Sequence, residues 1–478
     1  MNESDRYLCL MSNPKSNASS SPEIISTDLY QSREKIYVRR IKGYFRNLRV
    51  FGGLFLFILY FGILWLDWDG RQAVLFDLPA RQFHIFGITF WPQDFALLAW
   101  ALIISAFALF FITVYAGRVW CGYTCPQSVW TWIFMFIEEK TEGKRNARIK
   151  LDKRGFSIEK VFRKAAKHIL WTLVALVTAI TFVGYFAPIK QLLPELATFQ
   201  AHGWSVFWIA FFTLATYGNA GWLREQVCIY MCPYARFQSV MFDADTLIVS
   251  YDAARGEDRG TRKRGVDPKS LELGDCIDCE LCVQVCPTGI DIRDGLQYEC
   301  ITCAACIDAC DSVMEKMNYE KGLISYTTEN QLEGKESHLL RPRLIGYASA
   351  LLIMIVAFSW VLYSRVPLEL HITRDRGALH QMTGDGLIQN NYMLKVINMT
   401  NIPQTFSLSV EGMDGLAFRS ATDISVRPSE SESIATTLVL PPDLNELPTN
   451  KIYFKIESID DDSLKTKAES RFFGPANF

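Results

Sequence analysis

Twelve of the thirteen cysteines in this 478-residue chain fall into four short groups whose spacing suits metal ligation rather than disulfides. The densest run lies at 276–310. Cys276, Cys279, Cys282 and Cys286, the last followed by Pro287, form CxxCxxCxxxCP, and Cys300, Cys303, Cys306 and Cys310 repeat the spacing. Three closely spaced thiolates reach three corners of one cubane, while the fourth is turned toward the other cluster. The expected ligand sets are therefore Cys276, Cys279, Cys282 and Cys310 for one [4Fe-4S] cluster, and Cys300, Cys303, Cys306 and Cys286 for a second. Zinc is the alternative, but it favours paired CxxC knuckles over a doubled run. Asp311 stands where a proline would follow the last cysteine, a change that touches the local turn and leaves ligation intact.

The other two groups are shorter. Cys121-Gly-Tyr123-Thr-Cys125-Pro126 and Cys228-Ile-Tyr230-Met-Cys232-Pro233 share the pattern CxYxCP. Four residues apart on a helix, two thiols lie on one face and can share a metal. The prolines belong near helix starts, where an N-terminus lowers a thiol pKa. Soft thiolates select Cu(I), so copper is the expected ion. The plainer reading is that these cysteines fill space in a helix bundle; two copies of one hexapeptide favour the functional reading. The histidines carry less: His84, His168 and His202 fall at unmatched depths for a haem, and methionines such as Met393 and Met399 in strands usually pack a core. Arg118 and Arg224, just before the two hexapeptides, are expected to anchor helices at the membrane interface.

The elements that must position these groups follow from hydropathy and charge. Half of the chain is apolar, and the formal charge of -2 gives no reason to expect nucleic-acid binding. Five stretches, 48–66, 94–116, 168–187, 204–222 and 342–363, are long and apolar enough to cross a bilayer. A sixth, 119–137, is followed by Lys140 to Lys167, a stretch with eleven Lys and Arg. If 119–137 crossed, this stretch and the basic segment 33–49 would lie on opposite sides, which the positive-inside rule opposes. The expectation is a segment at the interface or a re-entrant half-helix. Both basic segments and 223–341 are then cytoplasmic, and everything after the fifth span is exported. Residues 1–32, rich in Ser and Asn, read as a disordered tail rather than a cleaved signal peptide.

In the last 115 residues, alternation in Tyr392–Ile397, Phe406–Val410, Ile434–Leu440 and Ile452–Ile456 predicts a small antiparallel β-sandwich. The two CxYxCP copies each follow an outside-to-inside helix, which suggests a parallel repeat with a site at its interface. The expected architecture is a multidomain membrane protein. It has a disordered cytoplasmic tail (1–35), helices 1–4 with the first hexapeptide (36–225), and the second hexapeptide with a cytoplasmic two-cluster ferredoxin-like insert (226–341). A fifth span (342–363) and a periplasmic sandwich (364–478) complete it.

With these residues in place the sequence resembles the CcoG/FixG/RdxA family of cytochrome c oxidase accessory proteins, from about residue 36 to the end. The resemblance rests on Val74-Leu-Phe-Asp-Leu-Pro-Ala80, Phe86-Gly-Ile-Thr-Phe-Trp-Pro-Gln-Asp94, Gly117-Arg-Val-Trp-Cys-Gly-Tyr-Thr-Cys-Pro126 and the string from Gly274 to Asp291. It implies a bacterial inner-membrane protein with an immunoglobulin-like C-terminal domain, acting in assembly of a C-family (cbb-type) haem-copper oxidase by reducing Cu(II) to Cu(I). Its implied partners are membrane lipid, oxidase subunits or copper-delivery proteins, and an unknown electron donor; whether the chain forms a homo-oligomer is left open. Two rival readings stand beside this one: a quinol-oxidising subunit feeding a periplasmic reductase, and a redox-sensing assembly scaffold.

Overall fold

The computed structural model describes residues 35–475, apart from 339, 376 and 446. The expected disordered tail and Cys9 lie outside the described residues. Helix α1 spans Tyr44–Gly62, α2 Phe95–Ala116, α3 Val119–Tyr123, α4 Pro126–Glu142, α5 Arg145–Lys153, α6 Ile158–Gly184, α7 Ile189–Ala197, α8 Gly203–Thr216 and α9 Pro233–Met241. Among the described residues four helical stretches are long and apolar enough to cross a membrane: Tyr44–Trp65, Pro92–Ala116, Ile158–Gly184 and Pro342–Tyr363. In α2 only Thr113 and Val114 are buried; Phe95, Leu98, Leu102 and Ile103 are exposed, as on a helix solvated by lipid, while Phe107 packs on Tyr347 of the last apolar helix.

The sequence expectation for 204–222 as an uninterrupted span meets a break. Helix α8 ends at Thr216 and the chain continues as a π-helix, Tyr217–Leu223, one of the forms that helices take at functional sites. The 119–137 segment is two helices, α3 and α4, separated by Thr124 and Cys125.

The part after Tyr363 is an antiparallel sandwich. One sheet has the order Ala417–Phe418, Ser431–Leu440, Ile388–Asn398 and Leu368–Arg374, with Gln381–Met382 also paired to Ile388–Asn398. The other has the order Asp423–Val426, Gln404–Glu411, Thr449–Ser458 and Lys465–Phe473. Each of the four alternating runs read from the sequence falls inside a strand, and Tyr392, Leu394, Phe406, Leu438, Phe454 and Phe472 meet in the core. Met399 is buried beside Trp91 and Ile397, whereas Met382 and Met393 are exposed, so the methionines do not gather into a ligand set.

Residues 67–93, between the first two apolar stretches, contain a three-stranded sheet, Val74–Asp77, Gln82–Ile85 and Ile88–Phe90. This sheet docks on the sandwich: the Gln82 amide donates to Ser429 O at 2.8 Å and the Asn401 amide to Gly87 O at 2.8 Å.

Candidate electron-transfer site

The two CxxCxxC loops fold alike. Asp278 and Glu280 in the first, and Thr302 and Ala304 in the second, sit two and four residues after the leading cysteine, all in the left-handed region with φ between 48° and 57°. Non-glycine residues enter that region at a cost of about 1–2 kcal/mol each. Four such residues at matched positions mark loops wound around something. The first cavity they form is lined by Cys276, Cys279, Cys282 and Cys310, and the second by Cys286, Cys300, Cys303 and Cys306, with Cys282 touching both. Four soft thiols per cavity, in apolar walls that include Val249, Leu323 and Ile324, are a donor set that fits an iron-sulfur cluster. Burial pushes the Cys282 thiol up to about 11 and the Cys300 and Cys310 thiols up to about 12, so a thiophilic metal centre must displace protons to bind.

Asp311 has a use of its own. The helix Ala305–Met317 runs through Cys310 and Asp311 without a break, and the Asp311 carboxylate accepts from Gly322 N at 3.0 Å. In the first half, by contrast, the helix Leu281–Val285 stops before Cys286 and Pro287, because a residue preceding proline is driven to extended backbone. Asp308, between Cys306 and Cys310, reaches out of this insert. Its two carboxylate oxygens accept from Phe45 N at 3.1 Å and Arg46 N at 2.7 Å, capping α1, whose own N-cap residue Gly43 has no side chain to do so.

The CxYxCP hexapeptides are not continuous helix, as their spacing suggested. Cys121 lies in α3 and Cys125 is the N-cap of α4; Cys228 lies in the π-helix Val227–Met231 and Cys232 is the N-cap of α9. Pro126 and Pro233 each open a new helix and hold the preceding cysteine extended, at ψ 126° and 111°. The repeat extends to the backbone upstream: Gly117 (φ 56°) and Arg224 (φ 44°), each four residues before the first cysteine, make the same left-handed turn.

Both copies converge. Cys121 is raised to about 12 chiefly by burial and then by the neighbouring thiols Cys125, Cys228 and Cys232, and Cys228 to about 11 by burial and then Cys125 and Cys232. Helix starts were expected to lower these thiols, and Cys125 does feel the amides of Gln127 and Ser128, yet burial outweighs them and its net shift is upward. Among the described residues no three His, Cys, Asp or Glu side chains close up as a single-ion site. The first copy also sits on the second cluster loop. A Cβ at Gly122 would meet Ile301 O at 2.7 Å and Cys303 Cα at 2.8 Å, so only glycine permits this approach. Tyr123 OH lies 3.1 Å from Tyr326 OH, which donates to Thr302 O at 2.7 Å, whereas Tyr230 of the second copy is exposed.

The two arginines before the motifs are buried rather than interfacial anchors. Arg118 is 3% exposed and stacks over the Tyr298 ring. Arg224 donates to Gly221 O at 2.9 Å and to Glu138 at 3.0 Å, which holds its left-handed backbone in place. Glu138, fully buried, also takes Arg148 at 3.2 Å. Removing such an anion would leave cations uncompensated at a cost of about 3–5 kcal/mol. No periodicity argument finds Glu138, which is followed by Glu139 and Lys140 at the polar end of α4. His168 bonds Tyr217 OH and His84 bonds Thr89 Oγ1, so the histidines form no common site.

Paired cysteine loops, apolar helices and an antiparallel sandwich in one chain define a membrane-associated 4Fe-4S electron-transfer protein. Residues 223–329 match the family "4Fe-4S dicluster domain", and residues 358–475 match "IG-like fold at C-terminal of FixG". The chain belongs to the FixG/RdxA family. It is 37% identical to the nitrogen fixation protein FixG of Rhizobium meliloti over 82% of each chain. To protein RdxB of Cereibacter sphaeroides it is 39% identical over 91% of each. A crystal structure of a FixG-related protein from Vibrio parahaemolyticus is 29% identical, covering 22% of this chain and 95% of that one, with a TM-score of 0.21.

Proposed function

We propose that this chain reduces Cu(II) to Cu(I) at the four hexapeptide thiols Cys121, Cys125, Cys228 and Cys232. Cys276, Cys279, Cys282 and Cys310 would hold one [4Fe-4S] cluster, and Cys300, Cys303, Cys306 and Cys286 the other. When bound, such clusters supply one-electron storage. The single observation that carries the reading is the seating of Gly122 on the Ile301–Cys303 backbone, which puts Cys121 against the second loop. Cupric ion is the substrate: it takes one electron, and thiolate ligation favours the cuprous product. Cys121, Cys125, Cys228 and Cys232 bind the ion and exclude harder competitors.

The test is the double replacement Cys125→Ser and Cys232→Ser, which keeps size and polarity and removes two soft donors. Iron content should be unchanged, since no cluster ligand is altered. Copper binding and Cu(II) reduction by dithionite-reduced protein should fall at least tenfold, the loss typical when a metal site's ligands or their supports are changed. Oxidase activity in cells should come to depend on added copper. Wild-type rates in the double variant would make the hexapeptides structural.

In the membrane the reading takes five spans, with 204–222 as the fourth, and sets both basic segments and the ferredoxin-like insert in the cytoplasm with the sandwich exported. The charge distribution supports this. A reporter active only in the periplasm should be silent after Gly155 or Gly260 and active after Pro441; activity at Gly155 makes 119–137 a true span. The Cu(I) would pass to copper-delivery proteins or to subunits of a C-family haem-copper oxidase.

A further inference from the structure

An apolar cavity of about 330 Å³ lies between α1, α4, the start of the second hexapeptide and the second cluster loop. That is within the range of small-molecule sites. Phe57, Val129 and Trp132 form its apolar body. Leu54 lines it too, yet belongs to an exposed apolar stripe with Phe51, Phe55 and Ile58, so the mouth opens on a face that lipid would cover. At the inner end stand Thr288 and Ile301, beside Cys286 and Cys300, together with Arg49, Arg224 and Glu225. The Arg49 Nε is buried with no hydrogen-bond partner among the described residues. An uncompensated donor at the end of an apolar cavity asks for an acceptor on whatever fills it.

A chain of ionisable groups leads away from the same end. Arg224 bonds Glu138 at 3.0 Å, and Lys167 lies 3.9 Å from Glu138 and 2.8 Å from Glu142. Glu142 pairs with Lys164 at 2.9 Å, Lys164 with Asp152 at 2.6 Å, and Tyr37 OH donates to Asp152 at 2.7 Å, where the groups reach solvent. A lipid acyl chain would need neither the polar end nor a proton route.

We propose that the cavity binds an isoprenoid quinol and that this is the electron donor. The inference rests on the reading that the 276–310 cysteines hold two clusters. Oxidation breaks the two ring O–H bonds and forms two C=O bonds. Two electrons leave, one for each oxidised [4Fe-4S]²⁺ centre, and two protons leave along Glu138, Glu142, Lys164 and Asp152. Arg49 donates to a ring oxygen.

The experiment uses the full chain in lipid nanodiscs. An azido-quinone photolabel should mark residues of α1 and α4 in the wild type and lose that labelling in Gly53→Leu, whose side chain fills the cavity; Gly53 lines it, and its Cβ would have only an ordinary 3.6 Å contact with Val129. Dithionite-reduced, desalted protein mixed with decylubiquinone should reoxidise at least tenfold more slowly in Gly53→Leu, while ferricyanide oxidises both alike. Val129→Phe, a second filling variant, should match it. Equal decylubiquinone rates in wild type and both variants, or labelling outside the cavity, overturn the proposal and leave only a phospholipid tail there. Cys228 also lines the cavity, so the two readings are separated in the wild type: its reduction of Cu(II) with dithionite as donor needs no quinol, and a failure there indicts the copper reading alone.

Discussion

Replacing Cys279 by Ala should remove about half of the iron from anaerobically purified protein, from about eight per chain, the content of two cubanes, to about four. Cys279 lines only the first cavity, so the thiols of the second, Cys286, Cys300, Cys303 and Cys306, keep a complete set. Electron paramagnetic resonance of the reduced protein should lose one of two interacting signals. Zinc instead of iron in the wild type, or full iron in the variant, would refute the ligand assignment. The exchange of Cys286 and Cys310 between sets makes a second arm: Cys310→Ala should deplete the same cluster as Cys279→Ala, although it lies in the other half of the sequence repeat.

Gly122→Ala is the second large effect. A methyl group there would lie 2.7 Å from Ile301 O and 2.8 Å from Cys303 Cα, both backbone atoms that cannot swing aside. Either α3 lifts off or the loop is displaced. Iron content should hold if α3 moves. Electron delivery from reduced protein to bound Cu(II) should then fall by about 100-fold, the scale that follows ångström misplacement of reacting groups. Stopped-flow reoxidation by Cu(II) measures it. The matching change Ile229→Ala, in the second hexapeptide, removes bulk instead of adding it and should leave the rate within twofold. Equal effects at the two positions would mean that the contact at Gly122 does not govern transfer.

Cysteine spacing and strand alternation were readable because both are local: a CxxCxxCxxxC run and a period of two need no knowledge of distant residues. Most of what the sequence hid is long-range. Asp308 gives no sign in its own helix that it caps α1, 262 residues away at Arg46. Glu138 looks like an ordinary surface residue near the polar end of α4 until Arg148, Arg224 and Lys167 arrive from three other elements. The 67–93 sheet escaped because its strands are three or four residues long, and it is anchored through Gln82 and Asn401 to a domain more than 300 positions away. The π-helix at Tyr217–Leu223 escaped for the opposite reason, since apolar periodicity reads the same through a bulge.

The cap that Asp308 places on α1 links two steps in the protein's biogenesis. The aspartate is held by a helix that carries Cys306 and Cys310, so the loops that receive iron also complete the first turn of a membrane helix. An unfilled insert that drifts from this position leaves two amides of α1 without their acceptor, a loss of about 1 kcal/mol for a cap of this kind. By linkage the coupling is mutual and no larger than that: filled loops favour the seated helix, and the seated helix favours filled loops, by about 1 kcal/mol. Loading of the cysteine loops and seating of the first membrane helix are thereby tied through a single carboxylate.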